Sequence, residues 1–111
     1  MGSPKLKAKA RSQIAAADAV YVSAASIWEI AIKARLRKIN ADPAELVEAI
    51  EASGFRELPV TATHAAAVAT LPMHHSDPFD RLLLAQAFGE PLRLLTADQA
   101  LAAYGGGVQI I

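Results

Sequence analysis

Short apolar runs alternate with longer amphipathic stretches along this chain, a pattern typical of alternating strands and helices. The strand-like runs are rich in β-branched and aliphatic residues and cover 20–23, 55–60, 92–96 and 108–111. The helical patterns between them cover 4–17, 27–34, 43–53, 62–71, 78–88 and 98–104. This order predicts βαβ units, and therefore an α/β domain with a mainly parallel sheet and helices on both of its faces.

Capping residues support several of the predicted helix starts. Asp42 and Asp77 each precede a proline, and an acidic N-cap followed by proline is a common way to begin a helix. Ser26 is predicted to cap the second helix and Thr61 the fourth. The first helix is predicted to end near Asp18.

Length and composition indicate one packed unit. The chain has 111 residues, of which 53% are hydrophobic and 20% charged, so we expect a single domain over 1–111. Many of the apolar residues are alanine, and a core this small favours stabilisation through a dimer or a bound partner. The chain has no cysteine, which excludes disulfides, thiolate metal ligands and a cysteine nucleophile.

The charges give no strong sign of a nucleic-acid binder. Eleven basic and eleven acidic residues cancel, so any RNA contact would depend on local patches. Basic residues cluster at 5–11 and 33–38, and we interpret both clusters as solvated helix faces. No apolar run approaches the roughly 18 residues of a membrane span, so we expect no membrane association and a cytoplasmic location.

Four acidic residues are predicted to converge at the carboxyl edge of the sheet. They follow predicted strands or begin helices: Glu29, Asp77, Asp80 and Asp98. Clustered carboxylates repel one another and are stabilised by a hard divalent cation such as Mg²⁺ or Mn²⁺. Taken singly, each acid also has a structural explanation, either as a helix cap or, for Glu29, as the i,i+4 partner of Lys33. Position in the fold alone leaves both interpretations open.

Four segments of the sequence, in this order, resemble VapC-type PIN domains. They are Ser23–Lys33 (SAASIWEIAIK), Leu58–Thr61 (LPVT), His75–Ala87 (HSDPFDRLLLAQA) and Leu95–Asp98 (LTAD). The resemblance implies a PIN-like three-layer α/β/α sandwich. It further implies that Glu29, Asp80 and Asp98 line a metal site.

The resemblance also suggests roles for neighbouring residues. Thr96 and Ser26 would support the metal site, and Arg81 would pair with one of its carboxylates or contact phosphate. Asp77 is interpreted first as a helix cap and second as a further metal ligand.

The activity implied by the resemblance is that of a divalent-metal-dependent endoribonuclease. It would be the toxin of a type II toxin–antitoxin pair, with Mg²⁺ or Mn²⁺ as cofactor and RNA as substrate. A VapB-type antitoxin and a second copy of the chain are its implied partners.

One part of the family pattern has no counterpart in this sequence. PIN domains begin with a buried central strand that ends in an aspartate, the first metal ligand, whereas Met1–Leu6 resembles the middle of the family's first helical region. We therefore expect the N-terminal central strand to be missing here and to be encoded upstream. A second hypothesis follows, in which the chain is an inactive PIN module that dimerises or binds an antitoxin. A metal-dependent phosphatase is a more distant alternative.

The remaining histidines and aromatic residues are given structural interpretations. His64 is expected to face solvent from its helix. His74 and His75 precede the acidic motif and could approach RNA or shuttle a proton, but we interpret them first as exposed loop residues. Trp28 and Phe79 are expected to pack in the core or in an interface rather than to stack on bases.

Overall fold

A computed structural model describes residues 4–17 and 19–111 of the chain, without the side chains of 4–7, 9 and 10. Asp18, the predicted end of the first helix, lies outside the described residues. The helices are α1 (Pro4–Ala16), α2 (Ala24–Arg35), α3 (Pro43–Ala52), α4 (Ala62–Ala67) and α5 (Pro78–Gly89), with 3₁₀ turns at Val68–Thr70 and Gln99–Tyr104. The strands are β1 (Tyr21–Ser23), β2 (Arg56–Leu58), β3 (Leu94–Thr96) and β4 (Val108–Ile110). Each predicted helix and strand is present, which confirms the α/β class.

The strands form two small parallel sheets rather than one. Strand β1 pairs with β2, and β3 pairs with β4. The parallel pairing confirms that prediction, but a single continuous sheet is not formed by the described strands. The three-layer sandwich stays a prediction.

A cavity separates the two sheets, and this sheet gap is defined by the residues around it. The cavity has a volume of about 300 Å³ and lies between the end of α1, residues 19–21 at β1, and Leu92, Arg93 and Leu95 at β3. A second cavity of about 160 Å³ shares those three residues and is also lined by Ser23, Ser26 and Leu94. Strands β1 and β3 therefore border one space and, among the described strands, do not pair across it.

Helix α5 forms the centre of the core. Leu84 is fully buried on it, and Leu101 from the second 3₁₀ turn is 1% exposed. Gln86 is also buried on α5, where its side-chain oxygen accepts a hydrogen bond from the Ser23 hydroxyl. Its amide nitrogen donates to the carbonyl oxygen of Pro59 at 3.2 Å. Gln86 therefore links α5 to the ends of both β1 and β2.

The helix caps agree with the sequence except at α2. Asp42, Asp77 and Thr61 are the N-caps of α3, α5 and α4, as predicted. The predicted cap of α2, Ser26, is wrong. Ser23 is the N-cap, and its hydroxyl accepts a hydrogen bond from the backbone nitrogen of Ala25 at 3.0 Å. The helix begins earlier because Ser23 already ends β1 in an extended conformation, which is the conformation an N-cap needs.

Two side chains lie in environments opposite to those expected. His64 is buried, with its Nδ1 accepting from the backbone nitrogen of Thr61 at 3.1 Å and its Nε2 2.6 Å from a Glu90 carboxylate oxygen. Both ring nitrogens therefore have partners, which offsets the cost of burying the ring. Trp28 is 58% exposed, so it does not pack in the core, and its packing in an interface stays a prediction.

None of the helices in the described ranges combines the length and the apolar character that crossing a bilayer requires.

Candidate metal centre

The N-terminus of α5 and the end of β3 bring several polar side chains to one place. Asp77 caps α5, with its Oδ1 accepting from the backbone nitrogens of Phe79 at 2.8 Å and Asp80 at 3.3 Å. Asp98 follows β3 and accepts from the backbone nitrogen of Ala100 at 3.0 Å. The Thr96 hydroxyl in turn accepts from the backbone nitrogen of Asp98 at 3.0 Å. Thr96 therefore supports the backbone that carries Asp98.

Three of these side chains form a cluster suited to a cation, which we call the α5 cluster. His75, Asp80 and Asp98 each offer one ligand atom, and these atoms lie within 4.8 Å of one another. Asp98 is exposed, while His75 and Asp80 are half-buried, so the cluster opens to solvent. Two carboxylates and an imidazole are a donor set that divalent ions accept in proteins, and the carboxylates suit Mg²⁺ and Mn²⁺. The residues present therefore fit the metal that the family resemblance implies.

His75 is a site residue that the sequence interpretation missed. Its Nε2 lies 2.8 Å from Oδ2 of Asp80. A histidine that donates to one carboxylate oxygen fixes the orientation of that group and leaves the other oxygen for a cation. The available signal was its position on the loop leading into α5, five residues before Asp80, but loop histidines are more often solvated.

The environment of Asp80 disfavours its ionised form. Burial is the largest cause of its raised pKa, and the negative charges of Asp77 and Glu29 raise the pKa further. The hydrogen bond and charge of His75 act in the opposite direction. A cation bound beside Asp80 would relieve the repulsion among these acids.

Glu29 lies beside the α5 cluster but is paired with a lysine. Its Oε2 is 3.0 Å from Nζ of Lys33, one turn further along α2. This hydrogen bond and the charge of Glu29 are the main causes of the raised pKa of Lys33, and Asp77 and Asp80 add smaller contributions. The structure thus brings Asp80 and Asp98 together with Glu29 nearby. That all three acids hold one ion stays a prediction.

Lys33 is expected to compete with a divalent cation for this acidic region. Replacing it by methionine (Lys33→Met) should tighten Mn²⁺ binding by about two- to fivefold, since an exposed ion pair is weak and competes only modestly. Isothermal titration calorimetry with Mn²⁺ would measure the change. Lys38→Met is the matched control, because Lys38 is exposed beyond the end of α2. Weaker Mn²⁺ binding in Lys33→Met, or the same gain in both variants, would contradict the expectation.

Arg81 does not pair with a carboxylate among the described residues, and its contact with phosphate stays a prediction. It is 8% exposed, and within the described residues its hydrogen bonds go to backbone carbonyls and one hydroxyl rather than to a carboxylate. The closest acceptors are the carbonyl oxygens of Val68 at 2.9 Å and Pro72 at 3.0 Å. Its guanidinium also reaches the carbonyl oxygen of His75 at 3.4 Å. Arg81 therefore holds the loop that carries His75 instead of pairing with an acid.

A small α/β protein with an open carboxylate centre at the end of a parallel strand has the architecture of a metal-dependent hydrolase. The sequence model of the PIN domain family matches residues 2–107, so the chain belongs to that family. PIN domains are in general metal-dependent nucleases. No curated protein and no solved structure matches the chain.

Proposed function

We propose that this protein is a divalent-metal-dependent endoribonuclease of the VapC type, the toxin of a type II toxin–antitoxin pair. The observation that carries the proposal is the convergence of His75, Asp80 and Asp98 within 4.8 Å, in a chain that belongs to the PIN domain family. The motifs around Glu29 and Asp80 support the narrower assignment, because they are the ones that resemble VapC-type domains.

The residues of the centre would share the work of holding a cation and placing the substrate. Asp80 and Asp98 would hold Mg²⁺ or Mn²⁺, and Glu29 would complete the site once it separates from Lys33. His75 would orient Asp80 through its hydrogen bond. When bound, such an ion lowers the pKa of a coordinated water and neutralises charge that develops on the phosphate. Lys33, released from Glu29, would be free to contact a phosphate oxygen.

The proposed partners follow from the same site and from the small core. A VapB-type antitoxin would inhibit by covering the acidic cluster, with an arginine that pairs with its carboxylates. The whole chain, 1–111, would act as one domain. A homodimer would bury part of the apolar surface that a chain of this size leaves exposed.

Cleavage of RNA in the presence and absence of metal tests the proposal. The protein is expected to cut single-stranded RNA with Mg²⁺ or Mn²⁺ and to lose this activity in EDTA. Asp80→Asn and Glu29→Gln should each lower the cleavage rate by at least about a hundredfold, because each removes a negative charge from the metal site. Gel analysis of an end-labelled RNA measures the rates, and circular dichroism shows whether the variants fold.

Glu48→Gln is the matched control, since Glu48 is an exposed carboxylate on α3. It should cleave at the original rate. Activity that persists in EDTA, or full activity in both Asp80→Asn and Glu29→Gln, would refute the proposal.

The alternative is a catalytically inactive PIN module that dimerises or binds an antitoxin. The divided sheet favours it, because the described strands form two pairs with a cavity between β1 and β3 instead of one continuous sheet. Calorimetry with Mn²⁺ separates the two functions. A nuclease shows a binding site that Asp80→Asn removes, and an inactive module shows none.

A further inference from the structure

Two aromatic side chains that contact each other come directly before acidic residues in the sequence. Trp28 precedes Glu29 on α2, and Phe79 precedes Asp80 on α5. The two rings meet edge to face, with their centroids 5.0 Å apart and their planes at 61°. Trp28 nevertheless stays 58% exposed. Phe79 therefore holds the indole in place while much of its surface remains accessible.

The same pair forms one wall of an apolar groove, which we call the tryptophan groove. The groove has a volume of about 270 Å³ and is open to solvent. It is lined by residues of α2, α4, α5 and the adjoining turn: Trp28, Ala65, Val68, Pro78, Phe79 and Leu82. An accessible indole against an apolar wall offers a flat surface on which another planar group can stack.

We propose that the tryptophan groove binds one unpaired base of a single-stranded RNA whose neighbouring phosphate lies at the α5 cluster. This inference rests on the proposed nuclease function and adds a base-binding site to it. A nucleotide joins a flat apolar base to an anionic phosphate. The groove and the acids could take these two parts of one nucleotide, because Trp28 and Glu29 are neighbours on α2 and Phe79 and Asp80 are neighbours on α5.

The charges along α2 support RNA as the occupant. Beyond Trp28, the helix and the turn that follows carry Lys33, Arg35, Arg37 and Lys38, all of them exposed. An RNA strand extending from the acidic cluster along α2 would meet these cations, which contact phosphates without regard to sequence. Stacking on aromatic side chains combined with such contacts is how proteins bind single strands.

The fluorescence of Trp28 offers a direct test, because it is the only tryptophan in the chain. A short single-stranded RNA added to the full chain in Ca²⁺, which binds carboxylate sites, should quench this fluorescence in a saturable way. The same RNA with abasic positions should bind more weakly and quench less. Quenching that is equal for the intact and the abasic RNA would overturn the inference.

Variants at the same position measure the contribution of the stack. Trp28→Ala is expected to weaken RNA binding, followed by anisotropy of a labelled oligonucleotide, by roughly 5- to 100-fold, the effect of losing one base–aromatic stack. Trp28→Phe keeps an aromatic face and should retain most of the affinity, which separates stacking from a folding defect. Leu36→Ala is the matched control, because Leu36 is 60% exposed at the end of α2 and lies outside the groove.

The outcomes distinguish this inference from the proposed function. If Trp28→Ala still cleaves RNA in a metal-dependent way, with unchanged rate and RNA affinity, the base-binding site is overturned and the proposed nuclease function stands. If the original chain self-associates and Trp28→Ala dissociates it without loss of RNA affinity, a second copy of the chain fills the groove. That result would also overturn the inference. A chain that neither cleaves nor binds RNA would overturn both.

Discussion

Adding an apolar β-strand ahead of Met1, ending in Asp-Thr-His, is expected to raise the melting temperature of this protein by roughly 10 °C, equivalent to about 2 kcal/mol of unfolding free energy. The physical reason is the sheet gap. Strands β1 and β3 line it, and each is paired on one side only among the described residues. A strand placed between them would pair with both and fill the cavity, so that two sheets become one.

The same extension is expected to strengthen metal binding at least about tenfold, because its aspartate adds a carboxylate to the centre. Calorimetry with Mn²⁺ measures the affinity, and thermal unfolding followed by circular dichroism measures the stability. An extension ending in Asn-Thr-His should stabilise the fold equally but leave the metal affinity unchanged. A Gly/Ser extension of the same length should change neither. A melting temperature that does not respond to the apolar strand would contradict the expectation.

Replacing Arg81 by methionine is expected to cost about 3 kcal/mol of unfolding free energy, or a fall in melting temperature of more than about 10 °C. Methionine fills a similar volume but donates no hydrogen bonds. It would remove one donor from the carbonyl oxygens of Val68, Leu71 and Pro72. Pro72 would keep the Tyr104 hydroxyl and Val68 the backbone nitrogen of Leu71, whereas the Leu71 carbonyl has no second donor among the described residues. Arg81 itself is only 8% exposed, so the variant loses several hydrogen bonds from a largely buried charged donor.

Metal binding should also weaken in Arg81→Met, because the loop that Arg81 holds carries His75 to Asp80. Thermal unfolding and Mn²⁺ calorimetry on the same samples measure the two effects. Arg93→Met is the matched control, since Arg93 is exposed and its contact with Gln109 is 3.4 Å long. Equal melting temperatures for the two variants would show that the hydrogen bonds of Arg81 do not stabilise the fold.

Local features of the fold were predictable where two signals coincided. At α3 and α5 an acidic N-cap, a proline and a helical apolar pattern occur together, and both helices begin as predicted. At α2 the prediction relied on one serine among several, and the cap proved to be Ser23. Strand positions were also predictable, but their division into two sheets depends on the sheet gap, which is a property of the assembled chain.

The side-chain environments that the sequence did not reveal depend on specific contacts, most of them with residues more than ten positions away. His64 is buried because Glu90, 26 residues later, accepts its hydrogen bond. Arg81 reaches a carbonyl oxygen 13 residues earlier, although its position beside Asp80 favoured a role with the acids. Asp80 and Asp98 were predicted to lie close together because helix starts and strand ends meet at the carboxyl edge of a parallel sheet. No periodicity or capping rule encodes contacts such as that of His75 with Asp80.

The hydrogen bond between Ser23 and Gln86 spans 63 residues of the chain and has a consequence for synthesis on the ribosome. Translation releases α2 and Glu29 first, whereas the residues of the α5 cluster occur between His75 and Asp98. A nascent chain therefore has the basic end of α2 and its aromatic residue well before it has a complete acidic centre. Because Gln86 must also be made before α5 can dock on β1 and β2, the hydrolytic centre is among the last parts of the molecule to assemble.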